Sequence, residues 1–374
     1  MRVCVVGGGS YVGRQTVKLL SPIVEHVRAL DVAFRVNHQY GNEERVIVDI
    51  TEYRRVRDAL KDADVCVHVA SYGMSGAEQL NKARVHAVNV NGTSNVIKAC
   101  RECNVRALVY ISTYNVVFNG TPFEEGDEEA LDYIPDDQHT DEYSRTKGQA
   151  ERLVLAANCD TLRTCALRPA AIYGDGEYRH LPRIIRLVNK GLGFMAIGRR
   201  DVLCDWVYGE NLAHAIALAV QRLTADDSAP TVSGRALFIS DQQPVNNFTF
   251  LATILGDTSL FSVYVPTPAM LALAHVIERA HAIIAPIVPF EPFLTVAEVC
   301  KVGVTHYASP RLARHALGYT PRVTQDEAIQ RTRAWCEQQV APAWQRSLVL
   351  RGTIAAAVGY IAFALARRSW RACL

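Results

Sequence analysis

Short, almost uninterrupted apolar runs punctuate the first third of the chain: VCVVG (3–7), HVRALD (26–31), RVIVD (45–49), VCVHVA (65–70) and RALVYIST (106–113). Runs of this length and β-branched content read as strands, and their weak polar alternation places them between two covering layers rather than against water. Between them, residues 53–60 and 88–100 carry apolar side chains at helical spacing, with Thr51 as the expected N-cap beside Glu52. Further on, the pattern predicts a helix over 143–157, a strand over 164–168, and helices over 181–190 and 209–222. Strand and helix in alternation predict an α/β fold, a doubly wound parallel sheet of the Rossmann type.

Beyond about residue 175 the alternation loosens, and seven prolines from Pro230 to Pro292 cut the chain into short pieces. The expected organisation is therefore a dinucleotide-binding unit over 1–175 and a smaller substrate-binding portion over 176–340 that also completes the sheet unit. A hydrophobic C-terminal helix over 345–374 follows. With 374 residues the chain has room for this arrangement and a sizeable core. The acidic stretch 124–129 reads as a solvated loop.

Charge and cysteine content narrow the function classes. The formal net charge is +2, with Lys and Arg spread throughout, so no basic face marks the chain for nucleic acid. Ten scattered cysteines, several inside apolar runs, suit a reducing compartment. Cys100 and Cys103 form a CxxC without a second pair, which reads as packing on one helix rather than zinc ligation, and no metal site is expected. The first strand pattern starts at Arg2, leaving no room ahead of it for a signal peptide.

Gly7-Gly8-Gly9-Ser10-Tyr11-Val12-Gly13 follows a strand and precedes a helical pattern, the context a dinucleotide turn requires. Glycines let the backbone approach a pyrophosphate, and the helix N-terminus offers it free N–H groups. Asp31, closing the second strand run, is positioned to accept hydrogen bonds from an adenine ribose and to repel a 2′-phosphate. NAD is therefore expected in preference to NADP, although Arg35 nearby keeps the phosphorylated cofactor in play. Asp49, ending the third run, reads equally as an adenine contact or as a charge at the start of the next helix.

Tyr143 and Lys147 stand four residues apart, one helical turn from each other on one face. A cation beside a phenol favours the phenolate and makes tyrosine usable as a general acid/base. Thr113, at the end of the fifth run, supplies a hydroxyl for the substrate oxygen, at the C-terminal sheet edge where ligands of such folds bind. His68, His86 and His180 lack partners at metal-ligand spacing.

These residues resemble the extended short-chain dehydrogenase/reductase family, more narrowly its 3-beta-hydroxysteroid dehydrogenase relatives and, closest, the 42E branch. The resemblance rests on GGGSYVG (7–13), NVNGT (89–93), YISTYNVVF (110–118), EYSRTKGQAE (142–151), TCALRPAAIYGDGEYRHLPRI (164–184) and FISDQQPVNNF (238–248). It implies Tyr143 as proton donor and acceptor, Lys147 as its activator and ribose ligand, Thr113 as the orienting hydroxyl and Asn89 as a fourth member acting through water. The implied cofactor contacts are Gly7, Gly9, Ser10, Tyr11, Val12, Gly13, Asp31, Asp49, Ala70, Lys147 and Pro169. Ser10 departs from the family's turn, which has a glycine there; its hydroxyl is expected either to help or to hinder the pyrophosphate.

The stretch 352–366 carries no charge and would span about 22 Å as a helix, or about 28 Å when extended to Leu348 with Arg351 snorkelling. With Arg367, Arg368 and Arg371 behind it, a membrane-anchoring segment is expected. The apolar stretch 269–288 reads as a lid or interfacial helix over the substrate site. The expected enzyme transfers hydride between NAD(H) and a secondary alcohol or ketone on a small hydrophobic, steroid-like substrate. It is membrane-associated at the endoplasmic reticulum, with its catalytic unit in the cytosol, and is a candidate homodimer. The alternatives are a nucleotide-sugar epimerase or dehydratase, for which Arg183 and Arg186 are the obvious phosphate ligands, and a cofactor-binding regulator without turnover.

Overall fold

A computed structural model of the chain describes residues 1–74, 76–225, 229–284, 292 and 294–340. The apolar runs form strands β1 (Arg2–Val6), β2 (His26–Asp31), β3 (Glu43–Ile47), β4 (Val65–His68) and β5 (Ala107–Ile111). Two later strands, Arg163–Pro169 and Arg235–Ile239, complete a seven-stranded sheet. From one edge the order is Arg235–Ile239, Arg163–Pro169, β5, β4, β1, β2, β3, and every pairing is parallel. The chain starts in the middle, runs to one edge, then returns to β4 beside β1, so the topological switch lies between β1 and β4. Ligands of such sheets bind outside the carboxyl ends at that point.

Both faces of the sheet are covered, which explains the unbroken apolar runs. Val3, Val5, Ala29, Val67, Val109 and Leu167 enter one core with the first helix, Tyr11–Leu20, and with Gly209–Thr224. The alternate residues Cys4, Val6, Cys66, Leu108, Tyr110 and Ala166 enter a second core under helices Tyr53–Ala59, Thr93–Glu102 and Glu142–Ala156. A third core, in which Tyr173, Trp206 and Phe250 meet edge to face or tilted at 5.0–6.0 Å, underlies the later part of the chain. There the chain forms short parallel pairs, 171–173 with 206–208 and 195–197 with 263–265.

Several local expectations change. β3 begins two residues ahead of its apolar run, because Glu43 turns inward to meet Arg14 and Arg45. Thr51 does not cap the second helix; Glu52 holds that position, and the Thr51 hydroxyl donates instead to Asp49 at 2.8 Å. The acidic stretch contains a short strand, Phe123–Gly126, parallel to His306–Ala308, with Glu124 and Glu125 exposed. Glu128 is not simply solvated, since its carboxylate accepts the Phe238 N–H at 2.7 Å. The stretch 88–100 divides into a π-helical turn, Ala87–Gly92, and the helix Thr93–Glu102.

One ion pair crosses from sheet to helix in a dry setting. The Arg168 guanidinium meets Glu151 at 2.7 Å with both side chains almost fully buried, and the Tyr133 hydroxyl donates to the same carboxylate at 2.5 Å. The expected lid is a helix, Thr267–Ile284, and the rest of 269–288 lies outside the described residues. The expected C-terminal segment 345–374 also lies outside them, and no helix among the described residues is long and apolar enough to cross a membrane.

Candidate active site

At the switch point the sheet edge opens into a cavity of about 920 Å³. Gly7, Gly9, Ser10, Tyr11, Val12, Asp31, Asp49, Ala70, Thr113, Tyr143 and Pro169 all line it, so one space collects most of the residues singled out in the sequence.

The glycine turn is shaped by packing as well as by openness. Gly7 has a positive φ of 91°, and a Cβ on Gly13 would lie 2.0 Å from the Gly7 carbonyl oxygen. Ser10 is the N-cap of the first helix: its hydroxyl donates to the Gly7 carbonyl at 2.7 Å and accepts the Gly13 N–H at 3.1 Å. The hydroxyl thus stands where a cap is wanted and braces the turn from within. Tyr11 and Val12 follow with backbone N–H groups that meet no acceptor among the described residues. Two free first-turn donors at a helix N-terminus, facing a cavity, fit a phosphate group.

Asp31 accepts the Gly9 N–H at 2.9 Å and the Val32 N–H at 2.7 Å, so it braces the turn from β2. Burial pushes its carboxyl above the usual range, against the pull of those N–H groups. Asp49 accepts from the Thr51 backbone at 2.9 Å and from Arg84 at 2.7 Å. Burial works to raise it, but these donors prevail and hold it below the ordinary carboxylate range.

The helix Glu142–Ala156 starts at Asp141, whose carboxylate accepts the Ser144 N–H at 2.6 Å. Asp141 is also paired with Lys301 at 2.7 Å, an interaction that spans 160 residues. Tyr143 and Lys147 occupy one face of this helix, but they do not form a direct phenol–ammonium pair. The Lys147 ammonium reaches across to the Ile111 carbonyl and lies 4.1 Å from the Tyr110 ring centre. Burial lowers it to about 7, partly offset by Glu151 one turn on. Burial likewise pushes the Tyr143 phenol up to about 12, while the Ser71 hydroxyl and the Arg179 charge pull it back. Helical spacing gave the shared face; the side-chain reach of lysine to a strand carbonyl decided the partner.

Thr113 accepts the Asn115 N–H at 3.3 Å, and no hydrogen bond donated by its own hydroxyl is found among the described residues. Asn89 is fully buried on the π-helical turn. It accepts the Tyr72 N–H at 2.8 Å and donates to the Tyr72 carbonyl and the Thr146 hydroxyl, each at 3.0 Å. It therefore ties the loop after β4 to the Tyr143 helix.

Among the cavity residues that the sequence reading did not single out are Ser71, Arg179 and Asp205. Ser71 follows β4 at the switch point, and position alone was a usable signal. Asp205 had none, since its meaning comes from partners far along the chain. It accepts from Tyr114 and from the Ala308 N–H, each at 3.0 Å, and burial raises it to about 6. The raised value means the folded state holds a proton that the unfolded chain releases from about pH 4 upward. Stability from this group is complete below that range and is lost as pH rises through about 6. Asp205→Asn should accordingly melt at a flatter temperature across pH 4–7 than the parent, which differential scanning fluorimetry at a pH series would read. Parallel curves would contradict the buried carboxyl.

The model of the 3-beta hydroxysteroid dehydrogenase/isomerase family matches residues 4–260. Short-chain dehydrogenase/reductase family 42E member 1 of Mus musculus is 43% identical over 333 residues, 86% of this chain and 84% of that protein. 3beta-hydroxysteroid-dehydrogenase/decarboxylase isoform 1 of Arabidopsis thaliana is 30% identical over 351 residues, 88% and 79% of the respective chains. Among solved structures, MoeE5 in complex with UDP-glucose and NAD aligns with a TM-score of 0.66 at 20% identity, covering 91% of this chain and all of that one. That last likeness is one of fold.

Proposed function

The chain belongs to the 3-beta hydroxysteroid dehydrogenase/isomerase family of extended short-chain dehydrogenases/reductases, and from that premise we propose that it moves hydride between NAD(H) and a secondary alcohol or ketone on a hydrophobic, steroid-like molecule. The observation that carries the substrate class is the wall of the cavity beyond Tyr143, built from Leu187, Leu192, Met195, Phe248, Phe261 and Met270. An apolar wall of this extent favours an apolar ligand body, since it gives polar substituents no partners.

In this reading the amides of Tyr11 and Val12, with Gly7, Gly9, Ser10 and Gly13, hold the pyrophosphate. Asp31 meets the adenine ribose, and Asp49 and Ala70 flank the adenine side. Lys147 and Pro169 meet the nicotinamide end. The Asp31 carboxylate favours NAD, and Arg35, which lines the same cavity, is the residue through which NADP would bind. When bound, the nicotinamide supplies or accepts the hydride. The Tyr143 hydroxyl gives or takes the proton at the substrate oxygen, Thr113 donates a hydrogen bond to that oxygen, and Asn89 keeps the flanking loop and helix in register.

The nucleotide-sugar alternative needs cations for a second diphosphate. Arg183 is engaged with Glu298 at 2.7 Å, and Arg186 is exposed. Neither is arranged as a free phosphate ligand, which favours the apolar reading. The decisive assay is purified protein with NAD against panels of hydroxysteroids and nucleotide sugars, followed by absorbance of the reduced cofactor. Hydroxysteroid oxidation is the expected result, and turnover of nucleotide sugars alone would overturn the reading.

Gly13→Ala should weaken NADH binding by roughly tenfold or more, because the added methyl meets backbone that has to move. Fluorescence titration of NADH checks this. The C-terminal segment is proposed to attach the protein to membrane, and helix Thr267–Ile284 supports that placement: Met270 and Leu273 line the cavity, while Val276 and Ile283 are exposed. A chain ended at Ala343 should be extracted without detergent where the full chain is not.

A further inference from the structure

β4 ends on a polar residue set in an apolar core. His68 pairs in register with Tyr110 of β5, its ring packs against the Tyr110 ring, and it is fully buried. Its Nε2 lies 2.9 Å from the Thr93 hydroxyl, which in turn lies 2.6 Å from the Asn89 carbonyl oxygen. Two such oxygens approach that closely with a proton between them, so the single hydroxyl proton of Thr93 belongs to Asn89. Thr93 then has lone pairs alone to offer His68, and the ring carries its proton on Nε2. The other nitrogen, Nδ1, is left as a bare acceptor, buried and without a partner among the described residues. Burial first, and the Lys147 charge second, lower the imidazole to about 3, so the ring is neutral.

The Thr93 hydroxyl stands in for a backbone group. In an unbroken α-helix the Thr93 N–H would close on the Asn89 carbonyl four residues back. After the π-helical turn Ala87–Gly92 it goes to the Val90 carbonyl instead, and the hydroxyl takes its place on Asn89. Asn89 commits both side-chain N–H groups, to the Tyr72 carbonyl and the Thr146 hydroxyl. Thr146 sits between Tyr143 and Lys147, and its hydroxyl reaches the Glu142 and Tyr143 carbonyls at 2.9 and 3.0 Å. Donation thus runs one way: from His68 through Thr93 to the Asn89 backbone, and from the Asn89 side chain to the first turn of the Tyr143 helix. All four side chains are buried, so water does not replace a lost member, and links of one direction polarise one another in the same sense.

We propose that His68 and Thr93 are positioning residues of the reaction centre: they fix the π-helical turn against β4 and, through Asn89, the place of the helix that carries Tyr143 and Lys147. Neither lines the cavity, so both act through others. A bare, desolvated ring nitrogen is a standing cost to the fold, and an apolar side chain would fill the same core without it. What the histidine supplies in return is the N–H on the opposite side of its ring, the first donor of the chain. The proposal rests on the hydride-transfer reading above for the reaction affected; the tautomer and the direction of the hydrogen bonds do not depend on it.

The test uses the full-length protein with NAD and a hydroxysteroid that the parent oxidises. Thr93→Val keeps the shape and removes the hydroxyl. Its kcat should fall about tenfold, the effect of one hydrogen bond that no longer holds the reacting geometry, while KM and NADH affinity stay within about twofold. Thr93→Ser, which returns the hydroxyl, should recover most of that rate. A Thr93→Val kcat within about twofold of the parent overturns the proposal, as does a Thr93→Ser as slow as Thr93→Val. Should Thr93→Val not fold, His68→Gln, which keeps an N–H donor, and His68→Leu, which does not, carry the comparison: His68→Gln should be the faster, and equal rates overturn the proposal. NMR of protein labelled at the histidine nitrogens reads the ring directly, the His68 signal being the one absent from His68→Gln. The parent should show its proton on Nε2, and a proton on Nδ1 overturns the proposal with no substrate involved. If the parent oxidises no hydroxysteroid but turns over a nucleotide sugar, the apolar-substrate reading fails, and the same variants compared on the sugar decide the proposal.

Discussion

Tyr143→Phe should bind NADH as the parent protein does and lose turnover by about 10²–10⁴-fold, the range that a positioned general acid/base contributes. The ring stays, and its buried environment is one that phenylalanine fills without strain; what goes is the proton at the substrate oxygen. The phenol lies up at about 12 because burial disfavours its charged form. At neutral pH it is protonated, ready to donate in ketone reduction and a poor acceptor in alcohol oxidation. Oxidation should therefore climb with pH well into the alkaline range, while reduction is already supported at neutrality, and Tyr143→Phe should flatten both profiles. Stopped-time assays in both directions from pH 6 to 10 measure this. Retention of more than a tenth of the parent rate would remove Tyr143 from the chemistry.

The second large effect is on stability. Arg168→Leu should destabilise the fold by about 3–5 kcal/mol, because Glu151 is left as a buried carboxylate with its cation gone and only the Tyr133 hydroxyl to meet it. For a protein of this size that is a fall of about 10 °C in melting temperature. Replacing Glu151 by leucine as well should recover much of the loss, since a buried ion pair traded for apolar volume is often neutral. A single variant as stable as the parent, or a double variant worse than the single, would contradict the account. Glu151 also stands one turn from Lys147, so freeing its charge should raise the lysine and shift the pH at which that ammonium is held.

The strands were readable in the sequence because both faces of the sheet are dry. A strand such as Val65–His68 cannot hide its register in alternation, and it advertises itself as continuous apolar sequence. The glycine turn between strand and helix was readable because its signals are local: glycines, a helix start and an acid on the next strand. Side-chain partners were not local. Spacing put Tyr143 and Lys147 on one face, yet nothing in spacing said that the ammonium would turn to the Ile111 carbonyl. Ser10 read as a departure from a glycine pattern because only the folded turn reveals that its hydroxyl closes the helix cap.

The pairing of Asp141 with Lys301 bears on how the protein is made. The helix that carries Tyr143 is synthesised well before the lysine that latches its first turn, and the sheet it packs on gains its outer strand only at 235–239. A ribosome moving at about 5–20 residues per second leaves the nascent sheet edge uncovered for on the order of ten seconds, a window in which strand edges invite wrong pairing. Contacts of such long sequence separation also slow the final step of folding. Chaperone demand in recombinant expression should therefore track how long the chain takes to reach residue 239 rather than the stability of the finished molecule.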